Sequence, residues 1–155
     1  MTHAVLFVCT ANICRSPTAA AVLRDELRRK GVENRFEVAS AGTHDYHAGK
    51  PPFPTAVEVA KAGGIDIVEH VARRIGPGDF DYYDLILAMD HFNVAALRSI
   101  APTRSKQKIE LLLEYGDKYH GLEVPDPYGG DVKDFELALE MIKDGCRGLV
   151  ELLVR

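Results

Sequence analysis

Cys9, Arg15 and Ser16 share one short stretch, Val8-Cys9-Thr10-Ala11-Asn12-Ile13-Cys14-Arg15-Ser16-Pro17, whose order of thiol, guanidinium and helix start suits the handling of a phosphate. Before it, Ala4 to Val8 is an apolar run of β type; after it, Ser16 followed by Pro17 reads as an N-cap with proline at the first helical position. The loop between them therefore wraps onto a helix N-terminus. Backbone N–H groups there lack intrahelical partners and the helix dipole is positive, so a dianion is bound and a thiolate is favoured over a thiol. Arg15 closes the loop, and its paired N–H donors grip two phosphate oxygens in a way lysine does not. Cys9 at the strand end would attack phosphorus in line and form a phosphocysteine, splitting hydrolysis into two easier steps. A buried structural thiol and a surface arginine are the ordinary readings of Cys9 and Arg15. They lose weight because every other feature of the loop concerns an anion.

Elsewhere the residues alone leave more open. Asp126, between Pro125 and Pro127, is either a rigid turn aspartate or a proton donor. The oxygen that leaves a phosphoester is a strong base, so such a donor would contribute roughly 10² to 10⁴ in rate. Tyr46 and Tyr128, taken alone, are half-buried aromatics, and Cys14 is a core thiol beneath the loop. Cys146 falls on the apolar stripe of the last helical pattern.

The string Asn12-Ile13-Cys14-Arg15-Ser16-Pro17 behind Cys9 resembles the signature of the low-molecular-weight protein tyrosine phosphatases. Asp126-Pro127-Tyr128, Ser40-Ala41-Gly42, His70-Val71-Ala72-Arg73 and Leu87-Ala88-Met89-Asp90 extend the resemblance over nearly the whole chain. It implies hydrolysis of phosphotyrosine in proteins and of small aryl phosphates. Cys9 would be the nucleophile, Arg15 the binder of phosphate and transition state, and Asp126 the general acid and then the general base. Thr10, Ala11, Asn12, Ile13, Cys14 and Ser16 would form the substrate loop, with Asn12 in a left-handed conformation and Ser16 donating to the Cys9 sulfur. Tyr46 and Tyr128 would wall a cleft too deep for phosphoserine or phosphothreonine, and His70 and Asp90 would support the loop. Cys14 would form a reversible disulfide with Cys9. The implied partner is a phosphotyrosine-containing protein, a tyrosine kinase among the candidates. Two departures matter. Gly129 stands where many members have a second aromatic, which lowers one wall, and Ala11 stands where many have glycine, which would cost roughly 1 to 2 kcal/mol were φ positive there.

The elements around these residues follow from periodicity. At 155 residues the chain reads as a single domain, residues 1–155. A formal charge of −4 and a pI near 5.8 give no footprint for nucleic acid. Apolar runs are too short for a membrane span, and an odd three cysteines point to reduced thiols in the cytoplasm. No cofactor is called for, and His44 with His47 lacks further ligands for a metal. A monomer or weak dimer is expected.

Ala19, Leu23 and Leu27 mark a helix stopped by Gly31, Arg35 to Ala39 a second strand, and Pro54 the start of a helix ended by Gly63-Gly64. Leu85 to Met89 reads as a buried central strand, Asp90 as the cap of a helix ending before Pro102, and Lys108 to Leu113 as the last strand. Phe135, Leu139, Ile142, Cys146, Leu149 and Leu153 line the last helix. Strands alternating with helices argue for a three-layer α/β domain of flavodoxin-like topology: a four-stranded parallel sheet, helices on both faces, and the phosphate loop after the first strand.

Three rival functions are weaker. Arsenate reductases share the loop but relay oxidation through mid-chain cysteines, and none lies between Cys14 and Cys146. Protein arginine phosphatases carry threonine where Ile13 stands. A silent phosphate-binding or redox module would need no general acid such as Asp126.

Overall fold

Nearly every side chain of the first apolar run is buried, which a strand achieves only with a layer packed on each face. The computed structural model describes residues 2–155. It contains β1 (His3–Cys9), β2 (Phe36–Gly42), β3 (Leu85–Ala88) and β4 (Ile109–Leu111), joined in the order β2-β1-β3-β4 with every pair parallel.

Alternation along β1 divides the core in two. Val5, Phe7 and Cys9 join the cluster formed by α1 (Arg15–Arg29), α2 (Pro54–Ala62) and α5 (Val132–Leu153). Ala4, Leu6 and Val8 join the opposite cluster with Phe80 of α3 (Pro77–Tyr82) and Val94 and Leu97 of α4 (His91–Ile100). This is the expected single α/β domain. After β1 the chain goes to one side for β2 and then to the other for β3, so the order reverses at β1. Cys9 ends β1 at that switch point, where ligands of open α/β sheets bind.

The last helix is held by both ends of its pattern. Asp131 and Asp134 form a reciprocal capping box at its start. Phe135, Ala138, Leu139, Ile142, Cys146 and Leu149 are buried along one face, each large apolar side chain worth about 1.5–3 kcal/mol relative to exposure. Gly148 permits the close approach of α5 to the 3₁₀ turn Leu112–Tyr115, because a Cβ there would overlap the Tyr115 carbonyl oxygen.

Several elements differ from the sequence reading. Helix α1 begins at Arg15, one turn position before the expected cap, and Ser16 caps nothing. Its hydroxyl is engaged by Cys9 and Asn12 instead, and Pro17 sits among the first N–H positions, which need no intrahelical acceptor. β2 runs to Gly42 because Gly42 pairs with Cys9, and β4 stops at Leu111 where the chain turns into 3₁₀ geometry. Helix α3 has six residues, too few for a periodic signal, although Gly76-Pro77 and the bond from the Gly76 N–H to Asp79 start it.

Candidate active site

Residues 10–14 carry the chain from the end of β1 to the start of α1. Among the described residues no acceptor takes up the backbone N–H groups of residues 10–15, so the loop presents a ring of free donors. Its curvature depends on Asn12, the one non-glycine residue with positive φ among the described residues, at 60°. An asparagine there costs about 1–2 kcal/mol of backbone strain, and a buried network opposes it. Asn12 Nδ2 donates to Ser16 Oγ at 2.8 Å and to Ser40 Oγ at 3.0 Å, while Oδ1 accepts the Arg73 N–H at 2.9 Å. The Asn12 carbonyl accepts from His70 Nε2 at 2.8 Å, which fixes the ring proton on Nε2. Burial pushes the His70 pKa below its ordinary value, the Asn12 bond opposes that shift, and the charge of Arg24 adds to it. Ala11 has no positive φ, so the strain considered for alanine does not arise.

At the base of the loop Cys9 is almost wholly buried, with Sγ 2.9 Å from Ser16 Oγ. Ser16 accepts from Asn12 and keeps its own proton, for which the sulfur is a nearer partner than the Ala41 carbonyl at 3.4 Å. Arg15 is 2 % exposed. Its Nη1 donates to Asp90 at 2.7 Å and to the Val124 carbonyl at 2.8 Å, and Nη2 lies 3.7 Å from Asp126. Among the described residues Nε and Nη2 have no acceptor within hydrogen-bond distance, which leaves one edge of the fork open to a bidentate anion. Burial works against the charge of Arg15, but Cys9, Asp90 and Asp126 outweigh it and raise the pKa. Cys14 is buried and its thiol is pushed up to about 12, by burial first and then by the charges of Cys9 and Asp126, with Arg15 opposing. Cys9, Cys14 and Cys146 are all free thiols.

Over this base opens a cleft of about 270 Å³. Ile13, Tyr46 and Tyr128 supply apolar walls, His47 joins them, and Asp126 stands at its edge. Asp126 Oδ1 accepts the Tyr128 N–H at 3.1 Å, an Asx turn that ties the carboxylate to the tyrosine. Gly129 has φ +85° and open space where a Cβ would stand, so backbone conformation, not crowding, calls for glycine there. Thus Cys9, Thr10, Ala11, Ile13, Cys14, Arg15, Tyr46, Asp126 and Tyr128 meet in one cleft, while Asn12, Ser16, His70 and Asp90 lie behind it.

Sequence reasoning missed Asn93. It is fully buried, donates from Nδ2 to Thr10 Oγ1 at 3.1 Å, and leaves Oδ1 without a partner. Its spacing from Asp90 was the only signal, and an asparagine in the first turn of a helix usually reads as surface. His47 and the Val124 carbonyl were missed as well. Among the described residues no group of three or more His, Cys, Asp or Glu side chains is placed to hold a metal ion, and no helix is long and apolar enough to cross a membrane.

Comparison with known proteins places the chain in a family. The chain is 40% identical over 146 residues to the low molecular weight protein-tyrosine-phosphatase YfkJ of Bacillus subtilis, covering 94% of this chain and 92% of that protein. Its structure superposes with a TM-score of 0.95 on a protein tyrosine phosphatase from Entamoeba histolytica, at 34% identity and covering 99% of this chain and 97% of the other. A cysteine-to-serine mutant of YwlE arginine phosphatase with a phosphorylated active-site serine matches at 30% identity and TM-score 0.88, covering 98% and 96%. The model of the family described as low molecular weight phosphotyrosine protein phosphatase matches residues 4–155. The chain therefore belongs to the low molecular weight phosphotyrosine protein phosphatases and is an enzyme of that class.

Proposed function

We propose that the enzyme hydrolyses phosphotyrosine through a phosphocysteine on Cys9. The observation that carries this reading is the Cys9 sulfur at the base of a cleft, beneath free loop N–H groups and beside an arginine with one unpaired edge. The dianionic phosphoryl group lies in the loop, its oxygens taken by those N–H groups and by Nε and Nη2 of Arg15. The sulfur attacks phosphorus opposite the phenolic oxygen, and Asp126 at the cleft edge donates its proton to that oxygen as the P–O bond breaks. Arg15 stays charged and stabilises the negative charge on the transferring group. Asp126, now a carboxylate, takes a proton from water. The water oxygen attacks phosphorus and the S–P bond breaks, with Ser16 donating to the departing sulfur. Tyr46 and Tyr128 flank the ring, and the depth of the cleft excludes shorter phosphorylated side chains.

Ile13 favours an aromatic ester over a guanidinium, because an apolar wall leaves the extra N–H donors of phosphoarginine without acceptors. Cys146 is fully buried against Ala19, out of reach of an oxidation relay. The test is kcat/KM on phosphotyrosine, phosphoserine and phosphoarginine peptides, in chelator, for wild type, Cys9→Ser and Asp126→Ala. Phosphotyrosine should be preferred, Cys9→Ser inactive and Asp126→Ala slowed roughly 10² to 10⁴-fold. Faster turnover of phosphoarginine would overturn the substrate assignment, and a wild-type protein that binds phosphate but turns over none of the three would overturn the mechanism.

A further inference from the structure

We infer that an exposed ring stack of Phe92, His44 and Tyr46 forms a subsite for the side chain adjoining the phosphotyrosine, and that it selects substrates with an aromatic or large apolar residue there. The inference rests on the reading of the cleft as a phosphotyrosine site.

The two aromatic walls of the cleft are supported in different ways. Tyr128 packs edge-on against Phe53 at 5.2 Å, and Phe53 stacks on Phe135 in the core at 5.8 Å. Tyr46 has no such backing. It stacks on His44, centroids 4.8 Å apart and planes 18° apart, and His44 stacks in turn on Phe92 at 6.2 Å and 14°. Tyr46 is 65% and Phe92 63% exposed. Phe92 contributes nothing to the core clusters and does not line the cleft. A large apolar ring held in water beside a cleft, doing neither job, is available to a substrate.

The stack is also fixed relative to the nucleophile. The Thr43 N–H donates to the Cys9 carbonyl at 2.9 Å and the His44 N–H to the Thr10 carbonyl at 3.0 Å. Thr43 is buried, and its hydroxyl lies 2.8 Å from His44 Nδ1, which sets the imidazole plane. A ring surface held this way is paid no ordering cost at binding.

A phosphotyrosine in a protein brings its chain to the mouth of the cleft. Consecutive Cα atoms are about 3.8 Å apart, so with the phosphorylated ring against Tyr46 the neighbouring side chain comes within reach of His44 and Phe92. Aromatic and long apolar side chains complement those faces by stacking and burial.

The experiment compares kcat/KM for peptides with Phe, Leu, Ala, Asp or Arg on each side of phosphotyrosine, alongside 4-nitrophenyl phosphate, for wild type, Phe92→Ala and Phe92→Leu. Wild type should prefer Phe or Leu over Ala about three- to tenfold on at least one side. Phe92→Ala should abolish that preference, Phe92→Leu should keep part of it, and both should hydrolyse 4-nitrophenyl phosphate at the wild-type rate. The inference is overturned by a preference for Asp or Arg, or by one that survives Phe92→Ala. It is also overturned by an equal loss on peptides and 4-nitrophenyl phosphate that varies with enzyme concentration, which would mark the face as a contact between copies. Absence of hydrolysis of any substrate would instead remove the phosphatase reading on which the inference stands.

Discussion

One carboxylate oxygen of Asp90 lies 2.7 Å from Nη1 of Arg15, and the other caps α4 by accepting the Asn93 N–H at 2.8 Å. A single side chain thus orients the Arg15 guanidinium and starts a helix. Asp90→Asn keeps the cap through its one amide oxygen, but turns an NH2 donor toward Arg15 and removes the charge. It should lower kcat/KM about 10- to 100-fold, the value of one hydrogen bond between charged groups. Asp90→Ala should be less stable than Asp90→Asn by about 1 kcal/mol more, from loss of the cap. Urea unfolding and steady-state kinetics check both, and equal stability of the two variants would contradict the capping role.

Ser16 is placed to act on the second chemical step. Its hydroxyl lies 2.9 Å from the Cys9 sulfur, which in the proposed mechanism leaves phosphorus when the phosphocysteine breaks down. Ser16→Ala should reduce kcat about 10- to 100-fold, and rapid mixing with an aryl phosphate should show a burst of phenol with phosphoenzyme accumulating. If kcat holds while kcat/KM falls, Ser16 serves binding alone.

Asn93 and Thr10 offer a test of loop anchoring from the opposite side. Among the described residues their bond is the one side-chain hydrogen bond from α4 to the residue that follows Cys9. Thr10→Val and Asn93→Ala should each weaken competitive inhibition by inorganic phosphate, and the double variant should lose less than the sum, with a coupling of about 0.5–1.5 kcal/mol. Strict additivity would show that the two act separately.

The fold, and which candidate residues would gather in one cleft, could largely be read from residue order because the informative features are local. Alternation of strands and helices gives the parallel sheet, and the Cys9–Arg15 spacing gives an anion loop at the strand end. What escaped depends on partners distant in sequence. Ser16 before proline has the local form of a cap, yet Asn12 and Cys9 claim its hydroxyl. The family resemblance points to His70 as a support of the loop, but the anchors of Asn12 from Ser40 and Arg73 emerge only when the fold brings them together. Phe92 has the type of a core residue, and nothing in its spacing reveals that α4 leaves it in solvent beside Tyr46.

His70 makes stability depend on pH in a known direction. Its folded pKa lies below the ordinary value of 6.5, so as pH falls from above 6.5 the unfolded chain binds the proton first. Stability contributed by neutral His70 is full above that value and is lost as pH drops toward the folded pKa. His70→Gln can still donate to the Asn12 carbonyl but does not titrate. The stability difference between wild type and His70→Gln should therefore shift against wild type between about pH 7 and 5. Parallel pH profiles of the urea midpoint would sink this assignment.

Cys14 differs from Cys9 in environment more than in distance along the chain. With its pKa pushed up to about 12, first by burial and then by Cys9 and Asp126, it is a neutral thiol throughout the physiological range. It therefore does not compete as a nucleophile, which needs the thiolate. Iodoacetate, an anion that the loop would draw in, should alkylate Cys9 between pH 7 and about 9, with inorganic phosphate protecting it. Cys14, and Cys146, whose pKa burial also raises, should be labelled only after unfolding. The same displacement acts on stability in alkali. An unfolded cysteine ionises near 9 while folded Cys14 holds its proton to about 12, so the folded state loses stability as pH rises between those values. Cys14→Ala removes one such group and should flatten the alkaline limb, measured as the urea midpoint from pH 8 to 11. Alkylation of native Cys14 as fast as Cys9 would refute the assignment, because a protonated buried thiol offers the reagent neither charge nor access.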